Sequence, residues 1–88
     1  MKEKELIALG FKREDVNEDG YSFYYFTYDF GRGFSLISNS SDELVDGKWF
    51  VEIFEEENIR FTTSSDVMAF IDLIKRNTVK YYGTLGSK

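Results

Sequence analysis

The chain has 88 residues, enough for one small domain, and carries a net charge of −5 with no histidine, cysteine or proline. These absences exclude disulfides, zinc sites built from cysteine and histidine, and catalytic triads that use imidazole or a thiolate. Aromatic residues make up 18% of the chain, and each ring buries a large area in a core. We expect a single domain over residues 1–88, with a frayed tail at 83–88.

A short helix is predicted at the start of the chain, ahead of a glycine. Leu6, Ile7 and Leu9 follow a charged segment, and Gly10 supplies the left-handed backbone position that often ends a helix. Phe11 is expected to fold back onto Leu6, in the apolar contact that accompanies such an end. Because two turns of helix are marginal alone, this helix is expected to dock on the rest of the domain.

The next segment predicts a loop followed by an aromatic strand. Residues 12–20 are polar and are expected to form a loop, with a short strand near 11–16 and a turn at 17–20. Residues 21–30 read YSFYYFTYDF, and this density of rings favours a strand. Side chains alternate along a strand, so both of its faces are aromatic. These faces are Tyr21, Phe23, Tyr25 and Thr27, and Tyr24, Phe26, Tyr28 and Phe30.

Three further strands are predicted, each joined by a turn to the one before. The Gly-Arg-Gly segment at 31–33 predicts a hairpin with its last glycine at positive φ, leading into a strand at Phe34–Ser38. A third strand is predicted at 48–55, with Trp49, Val51 and Ile53 on one face. A fourth strand at 59–62 follows an acidic turn at 55–58. Short connections of this kind require antiparallel pairing.

The clearest helix prediction lies after these strands. Val67, Phe70, Ile71 and Ile74 recur at the spacing of one helical face. Thr63 is the predicted N-cap, with Ser64 or Ser65 as alternatives, and Asn77 is the predicted end. Residues 79–82 are expected to form either a short edge strand or a docked tail.

The predicted fold class is a two-layer α+β domain. It has an antiparallel meander sheet of four to five strands with an N-terminal and a C-terminal helix, in the order α-β-β-β-β-α. No apolar run approaches the roughly 20 residues that a membrane helix needs, and the charged first residues are not typical of a signal peptide. We therefore expect a cytoplasmic protein that does not insert into a membrane.

Residues 15–20, DVNEDG, resemble the opening of an EF-hand calcium loop. Asp15, Asn17 and Asp19 stand at the first three ligand positions, and Gly20 stands where such a loop turns sharply. The resemblance covers six residues, and Phe26 occupies the position of the bidentate glutamate. It implies a calcium site that lacks its strongest ligand. The alternative is an acidic turn before a strand, with no metal and no cofactor.

Charge is distributed unevenly along the chain. Residues 14–57 contain twelve acidic and two basic side chains, whereas the segments on either side contain more basic than acidic ones. Such a field repels phosphate and attracts cationic surfaces, although acidic loops also serve simply to keep a small aromatic domain soluble. The predicted acidic patch consists of Asp42, Glu43, Glu52, Glu55, Glu56 and Glu57.

Two short helices can cover only one side of the sheet, so one aromatic face is expected to remain exposed. A cluster of exposed rings bordered by carboxylates is typical of an interaction surface. If Tyr21, Phe23 and Tyr25 face the helices, the rings of the other face look outward; the reverse arrangement is equally open. The first arrangement gives the predicted binding face, which consists of Tyr24, Phe26, Tyr28, Phe30 and Phe50.

These features predict a non-enzymatic protein-binding module of the adaptor or inhibitor type. Its partner is expected to present a basic surface, and carboxylates that stand in for nucleic-acid phosphates are one form of this hypothesis. Self-association through the same face into a homodimer is equally consistent with the surplus of rings. The alternative function is binding of single-stranded nucleic acid by base stacking, which also requires basic residues along the strand. No catalytic constellation is recognised.

Overall fold

A computed structural model describes residues 1–79 of the chain. The elements in chain order are α1 (Glu3–Ala8), β1 (Lys12–Glu18), β2 (Tyr21–Gly31), β3 (Phe34–Ser38), β4 (Val51–Ile53), β5 (Glu56–Phe61) and α2 (Ser64–Asn77). The strands form one antiparallel sheet in the order β1-β2-β3-β4-β5. The predicted α+β class, with a meander sheet between two helices, is therefore confirmed with five strands.

The strand boundaries differ from the predicted ones at both ends of the sheet. Residues 12–18 form a full strand, longer than the short strand expected near 11–16 within a loop, because every one of them pairs with β2. The predicted strand at 48–55 shortens to β4. Val45 and Lys48 close a tight turn through backbone hydrogen bonds of 3.1 and 2.9 Å, and Trp49 exchanges backbone hydrogen bonds with Met1 instead of β3. The reversal before β5 uses Phe54 and Glu55 alone, so β5 begins three residues earlier than predicted.

The end of α1 follows the predicted helix stop. Gly10 adopts a φ of 100°, and the N–H of Phe11 donates to the carbonyl oxygen of Leu6 at 3.1 Å. This left-handed residue turns the chain so that Phe11 enters the core beside Leu6.

The core lies between the sheet and both helices, on one face of the sheet. Alternation along β2, β3 and β4 brings the apolar side chains of one face of each strand against the two helices. The buried residues of this core are Leu6, Phe11, Phe26, Leu36, Trp49, Val51, Val67 and Ile71. The short α1 is thus held by tertiary contacts, as its length requires.

The predicted features of α2 are present. Thr63 is the N-cap, and its hydroxyl accepts a hydrogen bond from the N–H of Asp66 at 3.3 Å. Val67 and Ile71 are buried and Phe70 packs against the same core, whereas Ile74, the fourth residue of the predicted stripe, is half-buried and lies outside this cluster. Because this stripe enters the core, α2 lies along the sheet on the same side as α1.

Two predictions concern the end of the chain. Val79 is outside any strand, and the other residues of the predicted edge strand or docked tail lie beyond the described part of the chain. The predicted frayed tail at 83–88 also lies outside it. Within residues 1–79, neither helix combines the length and apolar composition needed to cross a membrane.

Candidate functional site

The helices cover most of the predicted binding face. Phe26 is 1% exposed, and its ring centroid lies 5.2 Å from that of Trp49. Leu36, the register partner of Tyr28, is fully buried on the same side. The prediction that this face is exposed is wrong for Phe26. Tyr24, Tyr28 and Phe30 are half-buried and pack against the core, because the rings of this face continue the apolar surface of β3 and β4 onto which the helices dock.

The other face of the sheet carries a second apolar strip, which we call the open face. Its register pairs Val16 of β1 with Phe23 of β2, and Ile37 of β3 with Thr27 of β2. Both helices of residues 1–79 lie on the opposite side of the sheet, so these side chains are shielded only by their neighbours. The open face consists of Val16, Tyr21, Phe23, Tyr25 and Ile37, of which Tyr21 is 53% exposed and the others are half-buried.

Carboxylates lie beside the tyrosines of the open face. Glu14 is the direct cross-strand partner of Tyr25, and Glu18 is the partner of Tyr21. The hydroxyl of Tyr21 also donates a hydrogen bond to Asp42 in the loop after β3. This bond raises the pKa of Tyr21 and lowers the pKa of Asp42. The open face therefore combines aromatic area with a negative border.

Phe50 is the one residue of the predicted binding face on the open side of the sheet. The guanidinium carbon of Arg60 lies 3.8 Å from the centroid of its ring. The same guanidinium donates to Glu52 at 3.2 and 3.0 Å, and Glu52 is the cross-strand partner of Arg60. Phe50 is therefore half-buried beneath an arginine of its own chain.

The predicted acidic patch divides into separate groups. Antiparallel connections place the β4–β5 turn at the same end of the sheet as the β2–β3 turn. Glu55, Glu56 and Glu57 lie at this end, whereas Asp42 reaches Tyr21 at the opposite end. Glu43 lies beside Asp42 in sequence, and Glu52 is paired with Arg60 in the sheet. These carboxylates are therefore not one surface.

At the end of β3 and in the polar loop that follows it, buried and half-buried side chains form hydrogen bonds with backbone groups. The hydroxyl of Ser38 accepts from the N–H of Phe26 at 2.9 Å, and that of Ser41 accepts from the N–H of Tyr24 at 3.0 Å. Asn39 bonds to the carbonyl oxygen of Glu43 and to the N–H of Phe50. These groups replace ladder hydrogen bonds where β3 ends. We assign them a role in the fold rather than in chemistry.

The predicted calcium ligands lie on a strand and its turn. Asp15 and Asn17 belong to β1, and Asp15 forms an ion pair with Arg13 at 2.9 Å. Asn17 accepts a hydrogen bond from the hydroxyl of Ser22, and Asp19 lies in the turn at a φ of 52°. Within residues 1–79, histidine, cysteine, aspartate and glutamate side chains form no group of three placed to hold a metal ion.

Sequence reasoning identified both aromatic faces of β2 and left open which one the helices cover, but its candidate binding residues came from the covered face. A usable signal was present in the hairpin at 31–33, whose tight turn sets Phe34 and Leu36 on the face of Tyr28. Phe34 and Leu36, on that face of β3, form a more apolar pair than Ser35 and Ile37 on its other face. The contribution of Val16 was missed because the short strand expected near 11–16 was not paired with the aromatic strand.

Comparison with protein-family models, with curated proteins and with solved structures finds no match to this chain. The candidate site therefore rests on the geometry of the open face.

Proposed function

We propose that this protein is a small, non-enzymatic binding module of the adaptor or inhibitor type, whose open face docks on a basic surface of a protein partner. The observation that carries the proposal is the strip formed by Phe23, Tyr25 and their apolar neighbours, bordered by Glu14 and Glu18. Exposed tyrosine and phenylalanine bury large areas on binding, and a charged border steers a partner of opposite sign.

The charge of the border favours a protein partner over nucleic acid. A bound strand would bring its phosphates close to Glu14, Glu18 and Asp42. Lys12 and Arg60 lie on the same side of the sheet, but Arg60 is already paired with Glu52, so the carboxylates outnumber the basic groups that would hold a nucleic-acid backbone. Face-to-face pairing of two copies would likewise bring these carboxylates together. A basic partner relieves both problems. We propose the cytoplasm as the compartment of this interaction.

The test is affinity capture from lysate of the source cells with three forms of the protein. The double variant Phe23→Ala/Tyr25→Ala removes two rings from the open face. Met68→Ala is the matched control, since Met68 is an apolar residue of α2 that is 59% exposed on the other side of the molecule. Circular dichroism and thermal melting verify that all three forms are folded.

A partner retained by the wild type and by Met68→Ala, and lost by the double variant, supports the proposal. Its release by moderate salt supports the electrostatic part, because exposed charges are screened over about 8 Å at physiological ionic strength. Recovery of the same proteins by all three forms contradicts it. Light scattering tests the alternative that the open face binds a second copy of this chain. In that case the wild type is a dimer and the double variant is a monomer.

A further inference from the structure

We infer that the open face binds arginine side chains, and that its partner presents two of them on one extended segment. This inference rests on the proposed function and specifies the partner of the same face. It is carried by a side-chain arrangement that occurs three times between β1 and β2.

The first copy of the arrangement lies at the edge of the helix-covered face and holds an arginine of the chain itself. Asp15 is the direct cross-strand partner of Tyr24. The guanidinium carbon of Arg13 lies 3.6 Å from the centroid of the Tyr24 ring, and its nitrogen lies 2.9 Å from the Asp15 carboxylate. A ring and a carboxylate directly opposite each other on antiparallel strands therefore form a seat for a guanidinium.

The second and third copies lie on the open face. Glu14 stands opposite Tyr25, and Glu18 stands opposite Tyr21, in the same register as Asp15 and Tyr24. The ring–cation contacts of residues 1–79 involve Tyr24, Tyr28 and Phe50, and not Tyr21 or Tyr25. The two tyrosines of the open face thus repeat the arrangement where a partner has access.

The carboxylates of these two seats have capacity for a new donor. Among the described residues 1–79, Glu14 receives only a long hydrogen bond, of 3.4 Å, from the hydroxyl of Thr27, and Glu18 is exposed. Asp42, held by the hydroxyl of Tyr21, adds further negative charge beside the Glu18 seat. An ionised carboxylate accepts two parallel hydrogen bonds from one guanidinium.

This chemistry selects arginine over lysine. The guanidinium is planar, is weakly hydrated, and stacks on a ring while it donates to a carboxylate in the same plane. A lysine ammonium is a strongly hydrated point charge and satisfies only one of these contacts well. Arg60, which lies over Phe50 and donates twice to Glu52, makes both contacts at once within this chain.

The spacing of the seats defines the partner segment. Tyr21 and Tyr25 are four residues apart on one strand, about 13 Å at roughly 3.3 Å per residue. An extended partner matches this distance with arginines at positions i and i+4. Its residue i+2 then faces Val16 and Phe23, which form a cross-strand pair between the seats. The expected segment is arginine, any residue, an apolar residue, any residue, arginine.

The test is an NMR titration of the full, nitrogen-15-labelled protein at low salt with three synthetic nonapeptides. The first contains the central sequence Arg-Thr-Val-Thr-Arg, the second replaces both arginines by lysine, and the third moves the second arginine to i+3. The first peptide is expected to shift the amide resonances of Tyr21, Phe23 and Tyr25 saturably. Its Kd is expected to be at least fivefold lower than that of either other peptide.

Two protein variants of equal charge locate the seats. Glu14→Gln is expected to raise the Kd of the first peptide about three- to tenfold. Glu57→Gln removes the same charge at the other end of the sheet and is expected to leave the Kd unchanged.

Equal affinity for the arginine and lysine peptides at the open face would refute the arginine inference and leave the proposed function standing. Absence of saturable shifts there, or an equal effect of the two glutamate variants, would also refute it. In those cases the proposed function is judged by its own capture experiment.

Discussion

The side-chain oxygen of Asn39 accepts a hydrogen bond from the backbone N–H of Phe50 at 2.9 Å, and the N–H of Asn39 donates to the carbonyl oxygen of Phe50 at 3.3 Å. The Asn39 amide nitrogen also donates to the carbonyl oxygen of Glu43 at 3.0 Å. One buried side chain therefore joins both ends of the loop between β3 and β4. This loop carries Asp42 to the border of the open face.

Replacement of Asn39 by alanine is expected to lower the free energy of unfolding by about 1–3 kcal/mol, since it leaves buried backbone groups without partners. Urea denaturation measures the change. Asn58→Ala, at an exposed position of β5, is the matched control, and we expect it to change stability by less than about 0.5 kcal/mol. Equal losses in the two variants would show that the loop does not depend on Asn39.

Phe26 and Tyr25 are neighbours in β2 that test which face is the core. Phe26→Ala is expected to cost about 3–5 kcal/mol, because it creates a cavity at a residue that is 1% exposed. Tyr25→Ala is expected to cost about 1–2 kcal/mol, from lost strand propensity and one lost cross-strand pair. Chemical denaturation compares them, with Phe26→Leu as a milder substitute if Phe26→Ala does not fold. A larger loss at Tyr25 would reverse the assignment of the faces.

Glu5 connects the two helices and gives stability a dependence on acid. Its carboxylate accepts from the N–H of Lys2 at 2.7 Å and from the hydroxyl of Ser64 at 3.1 Å, and these bonds lower its pKa. Because its pKa is lower in the folded state than in the unfolded state, the ionised carboxylate contributes to stability at pH values above the ordinary glutamate pKa of about 4.3. This contribution disappears as the pH falls through the lowered pKa.

Unfolding measurements between pH 7 and pH 3 on the wild type and Glu5→Gln isolate this contribution. The stability difference between the two proteins is expected to be constant above about pH 5 and to shrink as the solution becomes more acidic. A difference that stays the same over this range would mean that the Glu5 carboxylate is not held by these bonds.

The bond between Tyr21 and Asp42 predicts a measurable shift in a single carboxyl group. Tyr21→Phe removes the donor hydroxyl, so the pKa of Asp42 is expected to rise toward the ordinary aspartate value. Carbon-13 NMR of the side-chain carboxyl follows the titration. In Tyr25→Phe, which changes the other tyrosine of the open face, the pKa of Asp42 is expected to stay in place. An unchanged pKa in Tyr21→Phe would place Asp42 away from the open face.

Much of the architecture follows from local sequence patterns. Gly10 marks the end of α1, Gly33 lies in the turn between β2 and β3, and Thr63 caps α2. These features depend on backbone conformations that only some residues adopt, so they are visible in the sequence. The strand limits near Trp49 were not visible, because they depend on its pairing with the distant Met1.

The sequence by itself determined that β2 has two aromatic faces, because side chains alternate along any strand. The hairpin at 31–33 favours the face of Phe26 for the core, since it sets Leu36 opposite Tyr28, but only the packing of the helices decided which face is covered. Leu36 and Val51 lie on the same side of the sheet as Phe26, and this continuous apolar surface is where Leu6 and Val67 of the helices pack. The choice depends on contacts between residues far apart in the chain, and no local pattern in β2 contains that information.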